Sequence, residues 1–509
     1  MRIERTRNAS RNIAWGIIER IFSILLPFIT RTILIKILGA EYLGLNSLFT
    51  SILSVLSISE LGIGTAIVFS MYKPIAEDDK DTICALLNIY RKIYIAIGSV
   101  ILILGLAILP FLPKLIKGDV PADVNLYILY GIHLFDTVIG YYLFSYKAAI
   151  FSAHQRNDLI SKRGAIINLI GSGLRIALLL YYKQYYAYAL VLPFITIGTN
   201  IANAYLANKL FPELRCRGTI TDEQKAGIKK RLVGLLSFKI YGVIFTSVDS
   251  IVISAFLGLV PLAVYNNYYY IQTSIVGFLT ILTASITAGV GNKMITNTVD
   301  DNYVDFKNFT FMNGWICSWC AVCLTCLYQP FMKLWVGDGL LFSFDTMVLM
   351  VLYFLIPRIT SLTYTYREAA GLWWEDRFRP LVSAIVNLII NICLVKIIGM
   401  NGVIISTLLC SVFINIPWGS IVLFRNYFKR RPTEYFRDIV FYLLVTVVVS
   451  GITYMTCSLL PDGKWILLFL KAFICCIIPN VLFFLVYCRR SEYAYSKALI
   501  KRLLKNSPF

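Results

Sequence analysis

Five basic residues fall inside stretches that are otherwise apolar: Arg20, Arg31, Arg175, Lys239 and Arg358. An ionisable side chain in hydrocarbon is costly unless it faces water or a partner, so each is a candidate for function. Arg20, Pro27 and Arg31 repeat at a helical spacing that puts all three on one face, with Ser23 close by. Asn46, Thr50, Ser57, Glu60 and Gly64 share a sector of the next apolar stretch, and Lys239, Thr246 and Ser250 align further on, with Asp249 at the edge. Arg175 follows Gly171 and Gly173. The accompanying acids are few: Glu60, Asp136 and Asp249. A helix interior of this sign suits an anionic cargo, and the planar donor fork of Arg matches phosphate oxygens. The competing reading is that these charges pair to lock helices, or snorkel to the interface, which fits Arg20 and Lys36 near helix ends. For Arg31 and Arg358, which are placed deeper, the cavity reading is favoured.

Other reactive residue types carry less. Cys317, Cys320, Cys323 and Cys326 resemble an iron–sulfur run, but the spacing breaks at the fourth position. On a helix the outer two thiols point to opposite sides, so these cysteines read as small apolar packers. His133 and Asp136 share a face, but no second nucleophile lies near them, so they read as a polar helix contact or a cavity-lining pair. The other histidine, His154, falls in an expected cytoplasmic loop, and no Walker motif appears. No cofactor is expected.

The elements that must position these residues are membrane spans. Hydrophobic residues make up 58% of the 509-residue chain and charged residues 15%, against about 25% charged in soluble domains. A helix needs about 20 mostly apolar residues to cross a bilayer with every backbone group paired. Fourteen candidates meet that need, at 12–38, 42–71, 90–112, 123–147, 160–182, 185–208, 233–257, 261–290, 308–332, 343–366, 380–398, 401–424, 437–459 and 464–488. The basic start leads into the first span without a cleavage site, so that span is expected to be retained. The net charge of +20 reads as loop charge set by the positive-inside rule, not as a nucleic-acid surface. With the N-terminus inside, 35 Lys and Arg fall on cytoplasmic segments, against five outside: Lys114, Lys117, Lys183, Lys333 and Lys464. Both ends are then cytoplasmic, and the tail from Arg489 reads as a basic surface helix on anionic lipid.

The first and fourth outer turns look alike. ILGAEYLGLNSLFTSI (37–52) and FLGLVPLAVYNNYYYIQTSI (256–275) each place Leu-Gly about eight residues ahead of an Asn. Six spans separate them, so the repeat is parallel. The expected fold is an all-α integral membrane protein of about fourteen transmembrane helices, with two six-helix lobes and two C-terminal helices. The divisions are 1–210 for the N-lobe, 211–232 for a basic cytoplasmic loop, 233–425 for the C-lobe, 437–488 for the last two spans and 489–509 for a basic tail. In this register Arg31 and Asp249 stand at similar depth in opposite lobes and form a candidate gate pair. An Arg beside a carboxylate holds it ionised and hinders proton carriage. Glu60 is therefore the better ion-coupling candidate, and Asp136 a weaker third.

In order and spacing, several pieces of the chain resemble the Wzx-type polysaccharide flippases of the MATE-like (MOP) exporter superfamily. They are NIAWGIIERI leading to LIKILGAEYLGL, SELGIGTAIV (59–68), SVDSIVISAFLGLVPLAVYNNY (247–268) and IIGMNGVIISTL (397–408). The span plan is also that family's. The resemblance implies a non-enzymatic flippase that moves undecaprenyl-diphosphate-linked oligosaccharides from the inner to the outer leaflet of the bacterial plasma membrane. The cationic cavity would receive the diphosphate. Implied partners are the lipid-linked substrate, membrane lipids, H⁺ or Na⁺, and polysaccharide polymerase and glycosyltransferases. The alternative is a small-molecule, drug or ion exporter of the same superfamily. Pumps that extrude cations favour an acidic interior, which the excess of intramembrane Arg and Lys opposes. A membrane enzyme is the third class, with thin catalytic support.

Overall fold

The computed structural model describes residues 5–60 and 62–505, with some side chains, including those of 229–241 and 281–289, outside the description. Among the described residues the chain is helical, with no strand. In the first part of the chain the helices are α1 (Arg5–Ile37), α2 (Ala40–Leu56), α3 (Ile63–Ala76), α4 (Lys80–Ile108), α5 (Leu126–Tyr142), α6 (Ala148–Ala153), α7 (Asn157–Tyr182), α8 (Tyr185–Leu210) and α9 (Asp222–Phe256). They continue as α10 (Leu259–Thr296), α11 (Val299–Val336), α12 (Phe344–Ile359), α13 (Ser361–Ala369), α14 (Arg379–Cys410), α15 (Ile416–Leu423), α16 (Thr433–Ser458), α17 (Trp465–Tyr487) and α18 (Ser491–Lys505). Each of the fourteen expected spans falls on one of these helices or a broken pair of them.

Among the described residues, eight helices are long and apolar enough to cross a membrane, or nine if the bent pair α5–α6 is counted as one span. α1 is not one of the eight; it carries Glu19, Arg20, Arg31 and Lys36. The chain is a multi-pass membrane protein.

Polar residues start the helices where the chain leaves the apolar phase. Asp79 accepts from the Thr82 N–H at 3.0 Å at the start of α4, and these bonds hold its carboxyl below the usual carboxylate range. Thr221 and Gln224 form a reciprocal capping box at the start of α9, and the Thr298 hydroxyl accepts from the Asp301 N–H at the start of α11. The expected second span is broken. α2 ends in a short 3₁₀ turn, Ser57–Glu60, and α3 starts beyond Gly62, whose φ of 96° is left-handed. The expected break between the eleventh and twelfth spans is a kink inside α14, at Ile398 and Gly399.

The two similar turns are built alike. The Leu38 and Gly39 N–H groups both donate to the Leu34 carbonyl, and those of Leu257 and Gly258 both donate to the Ile253 carbonyl. Both glycines have positive φ, 116° and 104°. This C-cap pairs a carbonyl in the last turn of α1 and of α9 and leads the chain directly into the next helix.

The chain divides into two compact units, Met1–Ala263 and Val264–Phe509. α9 belongs with the first because it packs on α2 and α3. Gly44 of α2 lets the start of α10 come close: a Cβ there would stand 2.3 Å from the Leu259 carbonyl oxygen.

Candidate functional site: a polar cavity in the first unit

The first unit contains a cavity of about 560 Å³, lined from α1, α2, α5, α7 and α8. Each helix supplies a polar stripe by its own spacing. On α1 the stripe is Ser23, Pro27, Thr30 and Arg31. Pro27 has no N–H to give the Ser23 carbonyl, which loosens the helix where it faces the cavity. The Thr30 hydroxyl, turned back on its own helix, donates to the Leu26 carbonyl at 3.0 Å. On α2 the stripe is Asn46, Thr50 and Ser54, continued by Ser57 of the 3₁₀ turn. The Thr50 and Ser54 hydroxyls donate one turn back, to the carbonyls of Asn46 and Thr50, both at 2.7 Å.

Two guanidiniums face the cavity. Arg31 comes from α1 and Arg175 from α7. The Arg175 guanidinium lies 4.3 Å from the Tyr188 ring centroid on α8, and its Nε–H points to the Tyr188 carbonyl at 3.5 Å. Such stacking fixes the plane of the fork while leaving its outer N–H groups for a ligand. On α5, His133 and Asp136 both line the cavity. Asp136 accepts from the Thr196 hydroxyl at 2.6 Å. His133 is buried, its ring 5.4 Å from that of Phe49, and its Nε2 has no partner.

The other expected site residues are placed as follows. Glu60 ends the 3₁₀ turn beyond Ser57 and accepts from the Tyr94 hydroxyl at 2.9 Å, which in turn accepts from Tyr90 at 2.6 Å. Gly64 leaves room for this pair, since a Cβ there would stand 2.7 Å from the Tyr90 hydroxyl. Arg20 is on α1 but is not among the lining residues, and its Nε is buried without a partner. Asp249 is fully buried on α9, within the same unit as Arg31. Arg358 is in the last turn of α12, in the second unit, where its carbonyl accepts from Asn313 at 2.9 Å. The Lys239 side chain lies outside the described residues.

Thus the structure brings together Arg31, Arg175 and Asp136 of the expected set, with His133, already read with Asp136 as a polar contact or cavity-lining pair, on the same wall. Sequence reasoning did not single out Asn168, Ser172 and Tyr188. The first two were accessible to it: Asn168, Ser172 and Arg175 recur at four and three residues, a polar stripe on the fifth span. Tyr188 had no sequence signal, because its role depends on α8 packing against α7.

A family model described as "Polysaccharide biosynthesis protein" matches residues 9–287. No curated protein sequence matches the chain. Among solved structures, the lipid II flippase MurJ is similar at a TM-score of 0.60 and 16% identity, over 93% of this chain and 99% of that one. An inward-facing multidrug resistance MATE family transporter of the MOP superfamily is similar at a TM-score of 0.60 and 15% identity, over 78% of this chain and 93% of that one. A point mutant of the Vibrio cholerae MATE transporter VcmN is similar at 0.54 and 13% identity, over 84% and 100%. At these identities the structural likeness shows the fold, and the family match covers more than half of the sequence. The chain belongs to the polysaccharide biosynthesis protein family and has the MATE-like fold of the MOP superfamily.

Proposed function

We propose that this protein is a flippase that moves undecaprenyl-diphosphate-linked oligosaccharides from the inner to the outer leaflet of a bacterial plasma membrane. The observation that carries this reading is the cavity of about 560 Å³ faced by Arg31 and Arg175, in a member of a polysaccharide biosynthesis family. Two guanidiniums at one cavity suit a diphosphate, whose charge cannot enter hydrocarbon unaided. Asn46, Asn168, His133 and Asp136 offer donors and acceptors for sugar hydroxyls. The protein acts as a carrier, not as an enzyme, with both termini cytoplasmic. It works beside the glycosyltransferases that build the substrate and the polymerase that consumes it.

In this reading the expected lobes, 1–210 and 233–425, rock to expose the cavity to each leaflet in turn. Arg20, Lys239 and Arg358 are further candidates for contact with the anionic headgroup, on their place in apolar runs. Glu60, Asp249 and Asp136 are the candidates for H⁺ or Na⁺ coupling or for gating. Glu60 leads among them; it ends the 3₁₀ turn and accepts from the Tyr94 hydroxyl at 2.9 Å.

Cells whose own flippase is deleted should regain surface glycan when they express the wild-type chain. Arg31→Ala and Arg175→Ala should each cost roughly 10–100-fold in glycan display, the loss expected for one charge-assisted hydrogen-bonded contact. Arg→Lys should recover part of it, because a point charge lacks the fork. Lipid-linked precursor should accumulate on the cytoplasmic side. Wild-type display in both Ala variants, with normal protein levels, would remove the cationic cavity from the mechanism. Asp136 favours a second reading, a small-molecule exporter, because an acid on the cavity wall suits a cationic cargo. Under that reading Asp136→Asn abolishes drug resistance conferred by the chain, while precursor levels do not change.

A further inference from the structure

Three thiols from three helices meet in the second unit. Cys326 of α11, Cys457 of α16 and Cys475 of α17 are all buried, and their sulfurs lie within 4.8 Å of one another. The Cys457 and Cys475 sulfurs are 3.9 Å apart. The three helices pack pairwise, so the thiols sit where all three meet. Cys317, at the other end of the cysteine run, points elsewhere and approaches Asn313 Oδ1 at 3.7 Å. The trio is therefore selected by tertiary packing: Cys326 alone of the run joins it, while Cys323 Sγ approaches the Cys475 carbonyl at 3.9 Å.

A single buried thiol is an ordinary apolar packer. Two features set this cluster apart. The first is the spacing: at metal–sulfur distances of about 2.3 Å, three sulfurs in a trigonal plane stand about 4 Å apart. The second is Lys471, one helical turn before Cys475. Its side chain is buried, its ammonium pairs with Asp462, and its carbonyl lies 4.0 Å from the Cys457 sulfur. A cation one helical turn from Cys475 favours the thiolate form that coordination needs, while Asp462 shares its charge. Asp462 is half-exposed in the connection between α16 and α17, which links the site to water.

We infer that Cys326, Cys457 and Cys475 form a three-sulfur site for a soft, closed-shell cation, with Cu(I) as the ion of choice. Thiolate sulfur selects soft ions, and structural zinc takes four ligands where this site offers three. Cu(I) displaces protons from two thiols, and these leave to water. The third cysteine binds as a thiol. The complex carries one negative charge, and copper keeps its oxidation state. The bound ion ties α11, α16 and α17 together.

The test uses the full chain in detergent, with Cys216, Cys320, Cys323, Cys393, Cys476 and Cys488, the cysteines that are not buried, replaced by Ser. Cu(I) is added without oxygen, and a competing chelator strips loosely held ion. About one copper per chain should remain, with a sulfur-only shell at about 2.3 Å in X-ray absorption, and the thermal midpoint should rise. Cys475→Ser should weaken retention at least about tenfold, the consequence of losing about 1.4 kcal/mol or more. Should that variant fail to fold, Cys326→Ser tests the same site from α11. Copper that is not retained, or retention unchanged by either substitution, overturns the inference. So does a Cys457–Cys475 disulfide, found by mass spectrometry in the protein as isolated.

Discussion

His154 lies just beyond α6, outside the membrane-spanning segments. Its Nδ1–H donates to the Ile150 carbonyl at 2.8 Å, and its ring lies 4.4 Å from that of Phe211. Burial disfavours the imidazolium and pushes the pKa below the usual 6.5. Between the folded value and 6.5 the unfolded chain binds more protons than the folded one. Stability is therefore full above about pH 6.5 and is lost as pH falls from there through the folded pKa. The thermal midpoint should drop between about pH 7.5 and 5.5 more steeply in the wild type than in His154→Gln. Parallel pH profiles for the two proteins would show that His154 does not contribute. At this scale the sequence identified the residue types well. Arg31, Arg175 and Asp136 stood out because a charge in an apolar run is rare, and all three line the cavity. Tyr188 did not, because a tyrosine in a span is as ordinary as a leucine until a guanidinium is stacked on it.

The turn between α13 and α14 shows what an element needs beyond its own sequence. Asp376 is fully buried between two buried arginines. Arg367 Nη1 stands 3.2 Å from its carboxylate, and Arg379 donates to it from Nε and Nη2, each at 2.8 Å. Arg379 Nη1 also donates to Asn415 at 2.8 Å, which ties the start of α14 to the π-helical turn ahead of α15. Gly419 gives this cluster room, since a Cβ there would stand 2.2 Å from Arg367 Nη1. Asp376→Asn leaves two buried guanidiniums without their carboxylate. It should cost about 3–5 kcal/mol and lower the thermal midpoint sharply. Gly419→Ala should act in the same direction through overpacking, by about 1–3 kcal/mol. A melting curve unchanged in Asp376→Asn would mean that water reaches the cluster. The sequence placed these arginines among the loop charges. It could not show that they are buried, because burial here comes from α15 closing over α13.

For the whole molecule, the charge distribution makes a definite forecast of how the helices are oriented across the membrane. The 209–231 loop carries seven Lys and Arg, while Lys464 sits in a connection expected on the far side. In a background without the other cysteines, Cys216 should react with an impermeant maleimide only in inverted vesicles, and Lys464→Cys only in intact cells. Reaction of Cys216 in intact cells would overturn the topology. One missed span would have the same effect, because it inverts every later loop.

Helix positions, the repeated Leu-Gly turns and the lipid environment were all legible in the sequence. Each rests on local composition: enough apolar residues to cross a bilayer, or a glycine where φ must be positive. The break of the second span at Ser57–Glu60 was not legible, since Ser and Glu in an apolar run also suit a continuous helix that carries a functional face. Only the tertiary structure decided which polar stripes share a cavity. It brought the stripe of Asn168, Ser172 and Arg175 opposite those of α1 and α2, and it selected Cys326 from its run to meet Cys457 and Cys475. Periodicity sets which residues share a helix face. Which faces meet depends on how helices far apart in sequence pack, at places such as Gly44, where backbones approach more closely than a side chain would allow.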